Sequence, residues 1–107
     1  MFNLCHWLAV DDEKNLEPLL SAAKPHLFAV TINGADRAAD IQAGKGKWIQ
    51  PLDSGTFDNF RLLKLLVALG YKGPIGLQCY GLPGDAREHL ARSITAWRRL
   101  VGRLEAR

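Results

Sequence analysis

This sequence of 107 residues has only two cysteines, one methionine and no apolar run near the length of a membrane span. Cys5 and Cys79 lack metal-type spacing and are too few for a disulfide framework. They are expected as small apolar side chains in or near the core of a reduced protein. The amino terminus has no basic segment leading into a signal-like stretch, so a cytoplasmic location is expected. No serine or cysteine stands in a nucleophile arrangement, and Gly44-Lys45-Gly46-Lys47 does not have the spacing of a P-loop.

Charge of one sign is also scarce over most of the chain. Residues 1–84 carry eight basic and eight acidic side chains and so balance. The net charge of +3 comes from residues 85–107, where Arg87, Arg92, Arg98, Arg99, Arg103 and Arg107 face Asp85, Glu88 and Glu105. Apart from Trp97, no aromatic interleaves with these arginines, and no recognition motif accompanies them. The segment reads as a solvated helix face, with neither nucleic acid nor membrane as partner.

What the chain does have is the composition of one small globular domain, 48% hydrophobic and 23% charged. It also has a threefold pattern: an apolar run ends in polar residues, and a helical stretch follows. The runs close as Phe2–His6, Val30–Gly34 and Ile75–Tyr80. Asn15 offers an N-cap to the first helix, Pro18 falls in its first turn, and Lys24-Pro25 stops it. The second strand is expected over Leu27–Ile32, and a long polar loop from Asn33 to about Lys47 follows. Trp48–Leu52 re-enters the apolar body, and a helix spans about Asp58–Leu69 with Gly70 as its C′ residue. Tyr71–Pro74 leads into the third strand, Ile75–Tyr80. Asp85 then caps a last helix, running to about Leu104 and burying Leu90, Ile94, Trp97 and Val101.

Three strand–helix units with apolar strands predict an α/β fold whose strands are parallel, with helical crossovers. Strand alternation puts Gly76, Gln78 and Tyr80 on one side, opposite Ile75, Leu77 and Cys79. It likewise groups Ala29, Thr31 and Asn33 against Phe28, Val30 and Ile32, and it pairs Asn3 with Cys5. Three strands alone leave two bare edges, so the chain is expected to be the end of something larger or to pair with another chain.

Several segments carry a resemblance. They are Asn3-Leu4-Cys5-His6-Trp7-Leu8, Val30-Thr31-Ile32-Asn33-Gly34-Ala35-Asp36, Ile49-Gln50-Pro51-Leu52, Gly55-Thr56-Phe57-Asp58 and Gly70–Gln78. In this order they resemble the C-terminal part of sugar phosphate isomerase/epimerase-like proteins. These are the xylose isomerase-like TIM barrels, which also include endonuclease IV. The likeness covers about residues 2–100, and the Gly-Tyr-x-Gly-Pro-Ile strand and the helix with Ser93 and Trp97 are its more specific parts. It implies the C-terminal portion of a (β/α)8 barrel, units six to eight, acting on a sugar or sugar phosphate. The parent reaction would be isomerisation or epimerisation by proton transfer next to a carbonyl.

In metal-dependent members, the resemblance implies, a divalent cation is held by an Asp-x-x-His, a histidine and a glutamate at successive strand ends. The matching positions here are Asn3 with His6, then Thr31, then Gln78, and only His6 survives. Amides and a hydroxyl suit sugar hydroxyls or a carbonyl better than a cation. Asn3, Thr31, Asn33, Gln78 and Tyr80 are therefore the candidate substrate-binding residues, and His6 is the candidate acid or base. The alternative for His6 is a backbone-bonded ring beneath Trp7. No cofactor is expected within this chain, a divalent metal requiring carboxylates upstream of it. A non-catalytic carbohydrate-binding barrel is the rival function. His26 reads as structural and His89 as solvated. Asp36, Lys45 and Lys47 lie near where TIM barrels often place phosphate, on a loop read as mobile and solvated.

Overall fold

Val30–Ile32 forms β2, the middle strand of a three-stranded parallel sheet in the computed structural model, which describes residues 1–106. On one side lies β1 (Phe2–Asn3), with Phe2 opposite Val30 and Asn3 opposite Thr31. On the other lies β3 (Ile75–Leu77), with Ile75, Gly76 and Leu77 opposite Val30, Thr31 and Ile32. The sheet is open, with strands in chain order alternating with helices, and it is not a closed barrel.

All three strands are shorter than the sequence predicts, for a separate reason in each case. After Asn3 the chain turns at once into α1 (Leu4–Val10), because Leu4, Trp7 and Leu8 recur at helical spacing and all three are buried. Cys5 and His6 are therefore helical, not strand residues. Leu27–Ala29 stays outside β2, behind a 3-10 turn at Lys24–His26 imposed by Pro25. β3 ends at Leu77, after a last ladder bond in which the Gln78 N–H donates to the Ile32 carbonyl at 2.9 Å.

The helix boundaries were more legible. The outer helix α2 covers Leu16–Ala23, although Asn15 gives its side chain to Asp11 (2.8 Å) and leaves the helix end uncapped. α4 (Asn59–Ala68) is capped by Asp58, whose carboxylate accepts from the Arg61 N–H, and Gly70 adopts φ 78° just beyond it. α5 (Ala86–Glu105) is capped by Asp85, which accepts from the Arg87 N–H at 3.2 Å. A short helix, α3 (Ala38–Gln42), interrupts the segment read from sequence as a plain loop.

Leucines from the helices fill the core against one sheet face. Leu16 and Leu20 of α2, and Leu62, Leu63 and Leu66 of α4, pack with Phe2, Val30 and Ile32. Each fully buried leucine contributes about 1.5–3 kcal/mol. α5 lies over the same face but does not seal it. Of its predicted core positions, Leu90 and Ile94 stay 46% and 45% exposed, and Trp97 and Val101 are half-buried. The helix instead buries His89, Ser93 and Ala96, one strip around its circumference, so His89 is not solvated. Ser93 explains the rotation, because its hydroxyl accepts from the Leu52 N–H at 3.1 Å. Arg92 reinforces it with a two-pronged bond to Asp53 at 3.0 Å.

Two outcomes test this packing. A Cβ at Gly34 would run into the Pro51 carbonyl and stand 2.6 Å from the Ser54 carbonyl oxygen. Gly34→Ala is expected to cost about 2 kcal/mol or more in urea denaturation, since backbone rather than a flexible side chain must yield. The second concerns pH. Arg92 holds the Asp53 carboxyl below its ordinary value, so the unfolded chain takes up that proton first. The stabilisation from Asp53 is thus complete above about pH 3.9 and is lost as pH falls through the folded value. Asp53→Asn should lower the melting temperature at neutral pH, and the gap to the parent protein should close in acid.

Candidate functional site

The pleat of a parallel sheet sends alternate side chains to opposite faces. Phe2, Val30 and Ile75 form one row and point into the helices. Asn3, Thr31 and Gly76 form the next row and point to the other face. A Cβ on Gly76 would lie 3.8 Å from Thr31 Cγ2, which places the two side by side. Neighbouring strands sit about 4.8 Å apart, so Asn3 and Thr31 can address one small ligand.

The row is neutral. Asn3 is half-buried, and its Oδ1 accepts from the Cys5 thiol at 3.0 Å. Thr31 has its Oγ1 shielded from solvent with no hydrogen-bond partner in the protein. An unmet buried hydroxyl costs about 1–3 kcal/mol, so this atom is an open bonding position. Gln78 is half-buried just past β3, and its Oε1 accepts from the Tyr80 N–H at 3.0 Å, leaving its amide NH2 as the free end. Tyr80 itself is 81% exposed and stands outside the row.

His6 projects from α1 into solvent, and its ring lies 6.0 Å from that of Trp48, tilted by 47°. It is not buried beneath Trp7, whose indole N–H donates to Asp11 at 3.0 Å. His26 is exposed, at the foot of β2. The imidazole and the open row come from adjacent parts of one unit, with His6 three residues beyond Asn3.

Asn33 has a different position from the other candidates. It is fully buried, with its Nδ2 donating to the Trp48 carbonyl at 2.6 Å and to the Gly34 carbonyl at 2.7 Å. Its own carbonyl accepts from Asn59 Nδ2 at 2.9 Å. The two asparagines thus tie the end of β2 to the Trp48 segment and to α4. Asn59 was missed in the sequence, where a polar residue in the first turn of a helix over Asp58–Leu69 reads as solvent-facing. The only hint was its place next to the buried turn at Phe57.

The segment after Asn33 is ordered by hydrogen bonds rather than loose. Gly34 and Gln50 exchange backbone bonds of 3.0 and 2.8 Å. The Asp36 carboxylate accepts from the Lys47 N–H at 2.8 Å, and that bond pulls its pKa below the ordinary value. Gln42 braces the segment against α1, its amide donating to the Leu8 and Asp11 carbonyls at 3.0 and 2.7 Å. Lys45 and Lys47 remain exposed.

Among the described residues no three His, Cys, Asp or Glu side chains are grouped to hold a metal ion. The donor set at the row does not fit a divalent cation, because its amides and hydroxyl are neutral and Asn3 Oδ1 is already engaged. Nor is any helix among these residues long and apolar enough to cross a membrane. No protein-family model, curated protein or solved structure matches the chain.

The two thiols differ sharply. Cys5 is completely buried, and burial pushes its pKa up, whereas Cys79 is half-buried beyond β3. A disulfide-exchange reagent at pH 8 should label one thiol per chain quickly, and peptide mapping should find it at Cys79. Cys5 should react only as the protein unfolds.

Proposed function

We propose that this chain forms the last three βα units of a sugar phosphate isomerase/epimerase-like barrel, and that its uncovered sheet face binds the sugar. Two features of the fold support the barrel part. The strands follow chain order, and α2, α4 and α5 share one sheet face with the core. Doubly wound sheets reverse strand order and put helices on both faces, while barrels keep one order and one helical face.

The observation that carries the sugar reading is the Asn3–Thr31–Gly76 row, with the unpartnered Thr31 Oγ1 at its centre. A hydroxyl can both give and take a hydrogen bond, as a sugar hydroxyl requires. Gly76 leaves room above the strand for a ring, and the Gln78 NH2 lies next along the same side. The Trp48 ring, 43% exposed, offers a flat apolar surface at the rim. His6, three residues beyond Asn3 in the chain, is the candidate acid or base for this row. In the isomerase reading it takes the proton from the carbon next to the carbonyl and delivers it to the carbonyl carbon, while that first carbon's hydroxyl proton passes to the former carbonyl oxygen. The neutral character of the row favours a second reading, a binding-only module.

Titration with pentose and hexose phosphates, followed by amide NMR, tests both. Shifts at Asn3, Thr31 and Gln78 are expected. Thr31→Val should weaken binding about three- to tenfold, the worth of one neutral hydrogen bond. No shift with any sugar would refute sugar binding. Solvent deuterium entering the sugar, and stopping with His6→Gln while binding persists, would establish the isomerase reading. Binding without deuterium entry would leave the binding-only module.

A further inference from the structure

On the core side of the sheet, β3 and α5 part to leave a groove of about 630 Å³. Ile75 and Leu77 form its floor, and Leu90, Ile94 and Trp97 form its wall. We infer that this groove is a docking seat for a second copy of this chain, which joins head to tail through its β1 edge and α2.

The backbone supplies the first reason. The Val30 N–H donates to the Pro74 carbonyl, and the Gln78 N–H donates to the Ile32 carbonyl. Strand alternation then turns the Ile75 and Leu77 backbone groups to the open side, where no strand pairs with them. At the far end of the sheet, the Phe2 N–H donates to the Ala29 carbonyl, which turns the Asn3 N–H outward. A single chain therefore carries two unfilled parallel edges of opposite hand, and each complements the other on a second copy. Pairing them adds β1 beside β3 in the direction the sheet already runs, and it brings α2 of one copy up to α5 of the other.

Charge selects the same arrangement. Arg87 lines the groove, and Arg98 follows Ile94 at helical spacing, so arginines flank the apolar stripe of α5. The first unit, from Asp11 through α2, sets Asp11, Asp12 and Glu17 against Lys14 and Lys24, its Glu13 being paired with Arg37 at 3.3 Å. Asp12 and Glu17 are exposed, and Leu19 of α2 and Met1 before β1 are exposed apolar side chains of the same unit. Two copies meeting groove to groove would oppose arginine with arginine, whereas head to tail opposes arginine with carboxylate. The contact uses different surfaces on the two copies, so it either closes into a ring or extends with concentration. It does not need the other sheet face to bind sugar, and the second copy stands where the barrel reading places further βα units.

Sedimentation velocity on the whole chain tests the proposal with two surface variants, each checked for unchanged circular dichroism. Ile94→Arg blocks the groove end, and Glu17→Lys with Leu19→Lys blocks the α2 end. The parent chain is expected to sediment above the 11.9 kDa of one copy as concentration rises. Each variant alone should sediment as a single copy. An equimolar mixture should form a 1:1 pair, because one good groove and one good α2 end remain. A parent that stays at one copy at every concentration overturns the inference. Variants that still self-associate, or a mixture that forms no pair, overturn it equally.

Discussion

β2 has hydrogen-bonded neighbours on both sides, and every other part of the fold takes its position from that strand. β1 and β3 do not touch each other, so their parallel alignment exists only because both are registered on Val30–Ile32. Parallel pairing forbids a short hairpin and sends the chain back through a helix each time. Those returns carry the leucines that cover one face of the sheet. The strand's own exit is fixed by Asn33, whose bonds to Trp48 and from Asn59 hold the rim segment and α4 against it. Side chains that read as ligands in the sequence thus divide between two tasks. Thr31 has an unmet bond on the open face, while Asn33 uses its NH2 to hold the frame and leaves its own Oδ1 buried without a partner.

Much of the fold was legible because local signals agreed with tertiary ones. Pro18 in a first turn, Asp85 as a cap and Gly70 as a terminator are all short-range effects, and the helices fall where these residues place them. Parallel topology followed from the same alternation of strand and helix. Strand length was not legible. Leu4, Trp7 and Leu8 satisfy a helical spacing as well as an apolar strand run, and only the packing around α1 decides between them. The face of α5 was misread for a related reason. Hydrophobicity pointed to Leu90 and Ile94, but the Ser93 hydroxyl bond to Leu52 and the Arg92–Asp53 pair turned the helix by about one position.

At the site, alternation alone was enough to set Asn3, Thr31 and Gly76 on one face, because register in a short parallel sheet leaves no freedom to slip a side chain over. The state of each polar atom was beyond the sequence. Nothing in the order of residues says that Asn3 Oδ1 is taken by a thiol, that Gln78 Oε1 is taken by Tyr80, or that Thr31 Oγ1 is left over. These are outcomes of three-dimensional competition for donors, and they define what the face can hold.

The way α5 is attached has a consequence for how the molecule comes apart. Twenty residues long, it sinks three side chains fully into the body, packs Trp97, Leu100 and Leu104 only partly against the core, and adds surface contacts such as the Arg103 guanidinium resting 3.8 Å from the Phe60 ring centroid. The leucine-filled layer beneath loses far more apolar contact on opening than the helix loses on lifting. The protein is thus built as two cooperative units of unequal depth. The carboxy-terminal helix is therefore expected to peel away at a free energy below that of global unfolding, with the three strands and their leucines unfolding later and together.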